Sequence, residues 1–232
     1  MTIGSDNKSH THPVTCPGDD TAAAEAVTAT VESSNGLPEA RKQNKGHVVS
    51  QDRLPADFPT HLHRAEFWEM LGRAVATFGF LEETLAKAIF AFTATRRIPE
   101  DQFEAEYQKW LPTLERALTD PLGGLIGSYE KAVKLNAEAN ITNLDALITD
   151  LREASALRNV ICHGSWRPPD GQGRSLLFYV DRKRGKFETP IDISYLQQLQ
   201  RHTTELTCTV ISTVTCMGWQ FPGSNGPGQP IY

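Results

Sequence analysis

The sequence predicts an all-α protein: a bundle of four to five helices with a small β-hairpin inserted before the last helix, flanked by disordered tails. Three observations carry this reading. Apolar residues recur at helical spacing over long stretches, near 61–95, 144–163 and 192–217. One segment, about 174–189, has the β-rich composition and central turn of a hairpin. Both ends are instead polar, with no sustained apolar period. The chain therefore divides into an N-terminal arm, 1–59, a helical domain, 60–218, and a flexible tail, 219–232.

The arm is rich in Ser, Thr, Gly, Pro, Asp and Asn and has nothing to bury. His10 and His12 lack a nearby third ligand and read as part of a solvated tail. A long helix is expected from His61 to about Thr95. It places Phe67, Met70, Leu71, Ala74, Phe78, Leu81, Leu85, Ala88, Ile89 and Phe92 on one face. Gly72 and Gly79 inside it allow close backbone approach or a kink. On the same wheel Glu82 falls at the edge of the apolar face, whereas Glu83 points to solvent.

Arg96-Arg97-Ile98-Pro99 ends that helix. A weaker one follows from Glu100 to about Leu118, with Phe103, Tyr107, Trp110, Leu111 and Leu114 expected to face inward. Asp120-Pro121-Leu122-Gly123-Gly124 reads as a break before a helix from about Leu125 to Asn136. Asn143 is the expected cap of the next helix, which runs to His163 and is stopped by Gly164. After Trp166 comes a Pro/Gly-rich loop. Ser175–Val180 and Lys186–Thr189 then form the hairpin, with the basic tip Arg182-Lys183-Arg184. Asp192 caps the last helix, whose core stripe is Leu196, Leu199, Leu206, Val210, Val214 and Met217.

Several function classes fall away. Ser128-Tyr129-Glu130-Lys131 fits a Ser-x-x-Lys pattern but has no accompanying motif. Gly123, Gly124 and Gly127 precede no Gly-Lys-Ser/Thr, so they make no phosphate loop. The four cysteines, 16, 162, 208 and 216, show neither metal-ligand nor disulfide spacing. On one helix Cys208 and Cys216 stand about 12 Å apart, too far to bridge. No metal and no cofactor is expected. The first residues hold no apolar leader. The apolar windows are interrupted by charges or threonines, as in core helices rather than membrane spans. A cytoplasmic protein without membrane contact is the reading that follows.

Charge is uneven. From Arg152 to Glu188 eight basic residues stand against four acids, a local net of +4 in a chain whose net charge is −5. A global cationic coat is therefore excluded, yet a local polyanion site is favoured. Within this region, Arg158 falls inside the apolar stripe of its helix, where a guanidinium needs a carboxylate or phosphate partner. Glu82 is the candidate carboxylate; the alternative is an exposed glutamate with no tertiary contact. Asn159 and His163, four apart, share a face at the helix end. Arginine, carboxamide and imidazole thus read as converging in an anion site with a titratable group.

Arg158-Asn159-x-x-x-His163-Gly164 resembles the Arg-x(4–6)-His signature of HEPN domains, and Phe78-Gly79-x-Leu81-Glu82 resembles a pattern in the first long helix of some HEPN-like proteins. The resemblance covers roughly residues 60–218. It implies a helical bundle that dimerises and brings two motifs together in a composite site. Many members of that family are metal-independent endoribonucleases of toxin–antitoxin, phage-defence or CRISPR-associated systems, so it also implies RNA as substrate and an antitoxin or other regulatory partner protein.

In such a site a neutral imidazole, His163, moves the proton of a ribose 2′-OH or of the leaving 5′-oxygen, because imidazole titrates near neutral pH. Arg158 neutralises charge developing on the phosphate. Asn159 holds a phosphate oxygen or orients the histidine. Trp166 either stacks on an unpaired base or packs on the bundle end. Arg167, Arg182, Lys183 and Arg184 are candidate RNA contacts, the alternative for the tip being a solvated turn. The competing reading is a non-catalytic HEPN-like module that binds RNA or a nucleotide, in which Arg158 and Glu82 form a structural pair and His163 stabilises a helix end.

Overall fold

The computed structural model describes residues 48–226. The expectations for 1–47 and 227–232 lie outside the described residues. The chain divides between Phe58 and Pro59. On the N-terminal side, residues 48–58 include a 3-10 turn, Gln51–Arg53, with no buried residue, and a turn in which the Phe58 N–H donates to the Pro55 carbonyl. All of these residues are exposed.

The helical unit begins with a turn at 60–63 and then α1, Ala65–Ala94. It starts four residues later than the periodicity suggests. Its inward face is Phe67, Ala74, Phe78, Leu81, Leu85, Ala88, Ile89 and Phe92, all buried; Met70 and Leu71 pack at the edge. α1 is the central helix. It packs along α5, Ile193–Thr215, and also against α3, Leu122–Leu135, and α4, Leu144–His163. Gly72 and Gly79 face open space, so neither marks a close helix approach.

Asp192 caps α5 as the sequence indicates, its Oδ1 accepting from the Tyr195 N–H at 2.7 Å. Leu196, Leu199, Leu206, Val210 and Val214 are buried and Met217 is half-buried. Thr203, Thr207 and Thr213 are buried as well, and each hydroxyl is satisfied by a backbone carbonyl of the preceding turn. Tyr129 of α3 crosses the core to hydrogen-bond the Thr213 hydroxyl at 2.8 Å, and burial pushes its phenol up to about 12. The packed chain continues past residue 218. Phe221 is buried in the core, and Trp219 meets Phe92 edge-on at 5.6 Å.

Four local expectations need correction. First, α2, Phe103–Thr119, does form, but Phe103, Tyr107 and Leu111 are exposed and Ala117 is its buried residue. Its aromatic side chains stack along the helix surface, Phe103 on Tyr107 at 6.3 Å, and Trp110 anchors it by donating to Thr93 Oγ1 at 2.8 Å. Second, α3 starts at Leu122 rather than Leu125. Pro121, a residue suited to helix starts, occupies the cap position, and Gly123 and Gly124 lie inside the first turn.

Third, Asn143 occupies the cap position of α4 but makes no side-chain cap. It sits in the left-handed region at φ 62°, which asparagine tolerates, and its carbonyl receives the Leu147 N–H. Fourth, the hairpin is two short ladders. β1, Ser165–Trp166, pairs with β2, Leu177–Phe178; β3, Val180–Asp181, pairs with β4, Gly185–Lys186; and Ser175 bridges Ile191. The β-rich run thus leaves its first half to the segment after α4, which sequence composition did not mark as a strand.

Candidate functional site

α4 positions the motif. Leu147, Ile148, Leu151, Ala154, Ser155, Val160 and Ile161 bury its inner face. Gly164 ends it with extended backbone, φ −74°, so it is not there for a positive φ. Its role is space. A Cβ at Gly164 would lie 2.5 Å from Leu177 Cδ2 and 2.6 Å from the Val160 carbonyl oxygen. The absent side chain lets β2 close over the end of α4.

Arg158 is half-buried and turned toward α1, where its Nη2 lies 3.4 Å from Glu82 Oε1. That oxygen is buried and accepts no hydrogen bond among the described residues, so the attraction to Arg158 is coulombic rather than a directed fork–fork contact. Arg158 Nη1 also reaches Asn159 Oδ1 at 3.4 Å, a long and weak hydrogen bond. Glu82, Arg158 and Asn159 therefore form one group.

His163 stands apart from that group. It is the last residue of α4 and is exposed; among the described residues no hydrogen bond or ion pair holds its ring. Five residues of α-helix separate it from Arg158 by about 140° around the axis and about 7.5 Å along it. Among the described residues no hydrogen bond or ion pair joins His163 to that group. Asn159, one turn before His163, shares a face with the imidazole while its carboxamide contacts Arg158.

Beyond Gly164 the chain enters β1. The Trp166 ring is half-buried in an aromatic cluster, edge-on to Phe67 at 5.0 Å, Trp68 at 6.1 Å and His63 at 6.4 Å. Packing, not a free stacking face, is its environment. Arg167 lies over the Phe178 ring at 5.2 Å. At the hairpin tip, Asp181 Oδ1 accepts from the Lys183 and Arg184 N–H groups, both at 2.8 Å, and Gly185 adopts φ 76°. These backbone donors, chiefly that of Arg184, hold the Asp181 carboxyl below its usual range. The turn is thus fixed while the side chains of Arg182, Lys183 and Arg184 extend into solvent. A cleft of about 250 Å³ separates the hairpin from α4, lined by Leu157, Val160, Tyr179, Arg184, Lys186 and Phe187 among others.

Sequence reasoning missed His63. It stacks on Phe67 at 4.6 Å, and its Nε2 meets Ser175 Oγ at 2.8 Å. Ser175 in turn donates to the Arg167 carbonyl. Burial lowers the His63 pKa, and its Nδ1 is buried without a hydrogen bond among the described residues. Nothing in the local pattern could have found this, because the partners are 112 residues apart.

Among the described residues no group of three or more His, Cys, Asp or Glu side chains is arranged to hold a metal ion. No described helix is long and apolar enough to cross a membrane. No protein-family model, curated protein or solved structure matches the chain.

Proposed function

We propose that the protein is a metal-independent endoribonuclease of HEPN type, acting in a toxin–antitoxin or phage-defence setting. The observation that carries this reading is the end of α4. An exposed imidazole, His163, ends the helix on which, five residues earlier, the Arg158 guanidinium lies beside Glu82 and Asn159. The exposed cations Arg167, Arg182, Lys183 and Arg184 follow that helix end in sequence, within the stretch 152–188 whose local net charge is +4.

His163 transfers a proton to or from the ribose–phosphate linkage, and Arg158 offsets negative charge on the phosphate in the transition state. One imidazole serves as base or acid in a step but hardly as both. Because His163 and Arg158 lie on different faces of one helix, a second copy of the chain completes the site: the histidine of one protomer faces the arginine of the other.

A second reading is favoured by the Arg158–Glu82 pair itself. A guanidinium already matched by a carboxylate is partly spent, and a module that binds RNA without cutting it needs no free one. The two readings separate in one reaction. Purified full-length protein is incubated with total RNA in EDTA, and the product ends are analysed. New 2′,3′-cyclic-phosphate or 3′-phosphate ends support cleavage; RNA retained intact by a folded dimer supports the binding module.

A further inference from the structure

The last turn of α1, α2 and α3 enclose a cleft of about 560 Å³ far in sequence from the α4 motif. Its lining carries four cations, Arg96, Lys109, Arg116 and Lys131, against one carboxylate, Glu106. Glu106 is shared: Lys109 Nζ lies at 2.8 Å and Arg96 Nη2 at 3.7 Å. Among the described residues Arg116 donates to the Pro112 carbonyl alone, at 3.3 Å, and Lys131 makes no ion pair. Asp120 reaches the rim beside Gly124. Positive charge is in excess here although the whole chain is acidic.

One wall of the cleft is unusually bare. Gly124, Gly127, Ser128 and Lys131 recur at helical spacing along α3 and line it together. Glycine in a helix interior is unfavourable. Yet a Cβ at Gly127 would meet nothing within 4 Å among the described residues, so packing against them does not explain the residue. Its lack of a side chain leaves room in front of α3. Across the cleft Trp110 is fixed by its bond to Thr93 and flanked by Phe90 and Tyr107 at 5.9 and 6.0 Å.

We propose that this cleft binds a soluble oligophosphate, a small molecule carrying two or more phosphoryl groups. Two guanidinium forks and two ammonium groups spread over three elements suit several phosphoryl oxygens better than one small anion. Ser128 adds a hydroxyl to the same lining, whereas the Thr113 hydroxyl already donates to the Lys109 carbonyl at 3.3 Å. A nucleic-acid strand fits less well. It needs a continuing basic path, whereas the turn leading into α2 carries Glu100 and Asp101 and the first turn of α2 carries Glu104. The inference does not depend on the α4 motif.

The test is calorimetric titration of the full-length protein with tripolyphosphate, with sulfate at matched ionic strength as reference. Saturable binding of tripolyphosphate beyond sulfate is expected. It weakens at least tenfold in the double variant Arg116→Gln/Lys131→Gln and stays unchanged in Arg201→Gln, a surface-charge control on α5. Gly127→Gln is the decisive companion. It fills the cleft while improving helix propensity, so the melting temperature rises as affinity falls. Binding no better than that of sulfate, equal affinity in the wild type and these cleft variants, or binding of short RNA that tripolyphosphate does not displace each overturns the proposal. None of these outcomes bears on RNA cleavage by the α4 motif.

Discussion

Arg158 Nη2 lies 3.4 Å from Glu82 Oε1, joining the motif helix to the central helix across a partly solvated contact. Their side chains keep 26% and 27% of their exposure. A pair of this kind is worth far less than a fully buried one, because water screens it. Arg158→Met is therefore expected to lower stability by only about 1 kcal/mol. Denaturant unfolding of Arg158→Met, Glu82→Gln and the double variant measures the coupling. A loss of several kcal/mol in either single variant would mark a structural ion pair instead.

Gly164→Ala should be more damaging than its small size suggests. The added methyl collides with Leu177 and the Val160 carbonyl, so β2 must move off the end of α4. A destabilisation of about 1–3 kcal/mol is expected from such overpacking. Thermal unfolding followed by circular dichroism reads it.

The Asp192 cap offers a simpler check. Its carboxylate satisfies the Tyr195 N–H at the start of α5. Asp192→Ala should cost about 1 kcal/mol, while Asp192→Ser should recover most of it. Chemical denaturation of the two variants distinguishes a lost cap from a general loss of charge.

His63 makes stability depend on pH. Burial lowers its pKa in the folded state, so the unfolded chain takes up the proton first. The neutral ring's contribution is present above the unfolded value, about 6.5, and is lost as pH falls from there through the lowered folded value. His63→Gln should flatten the stability profile in that window. Melting temperatures of both proteins across the weakly acidic range check it, and parallel profiles would contradict the assignment.

The long helices were legible because their apolar residues repeat with the helical period, and the buried faces of α1 and α5 follow it closely. Asp192 was legible because a cap is a local signal. α2 shows the limit. Its pattern is amphipathic, but a pattern does not say how much partner surface is available, and Phe103 and Tyr107 end up exposed. The β1–β2 ladder was missed because two residues of strand carry no period. At the site, the charge clustering and the edge position of Glu82 were readable from sequence. The separation of His163 from Arg158 was readable from helix geometry too, since residues five apart do not share a face. The His63 cluster and the basic cleft were not, as both are assembled from distant segments.

The account rests on His163, and the measurement that tests it most directly is the rate of RNA cleavage in EDTA by three proteins with matched melting temperatures. These are the wild type, His163→Ala, and His202→Ala, which removes an exposed histidine from α5 as a control. The account predicts cleavage by the wild type and His202→Ala, and a fall of about 10²-fold or more in His163→Ala. Equal rates in all three, or no cleavage by a folded wild type, would contradict it.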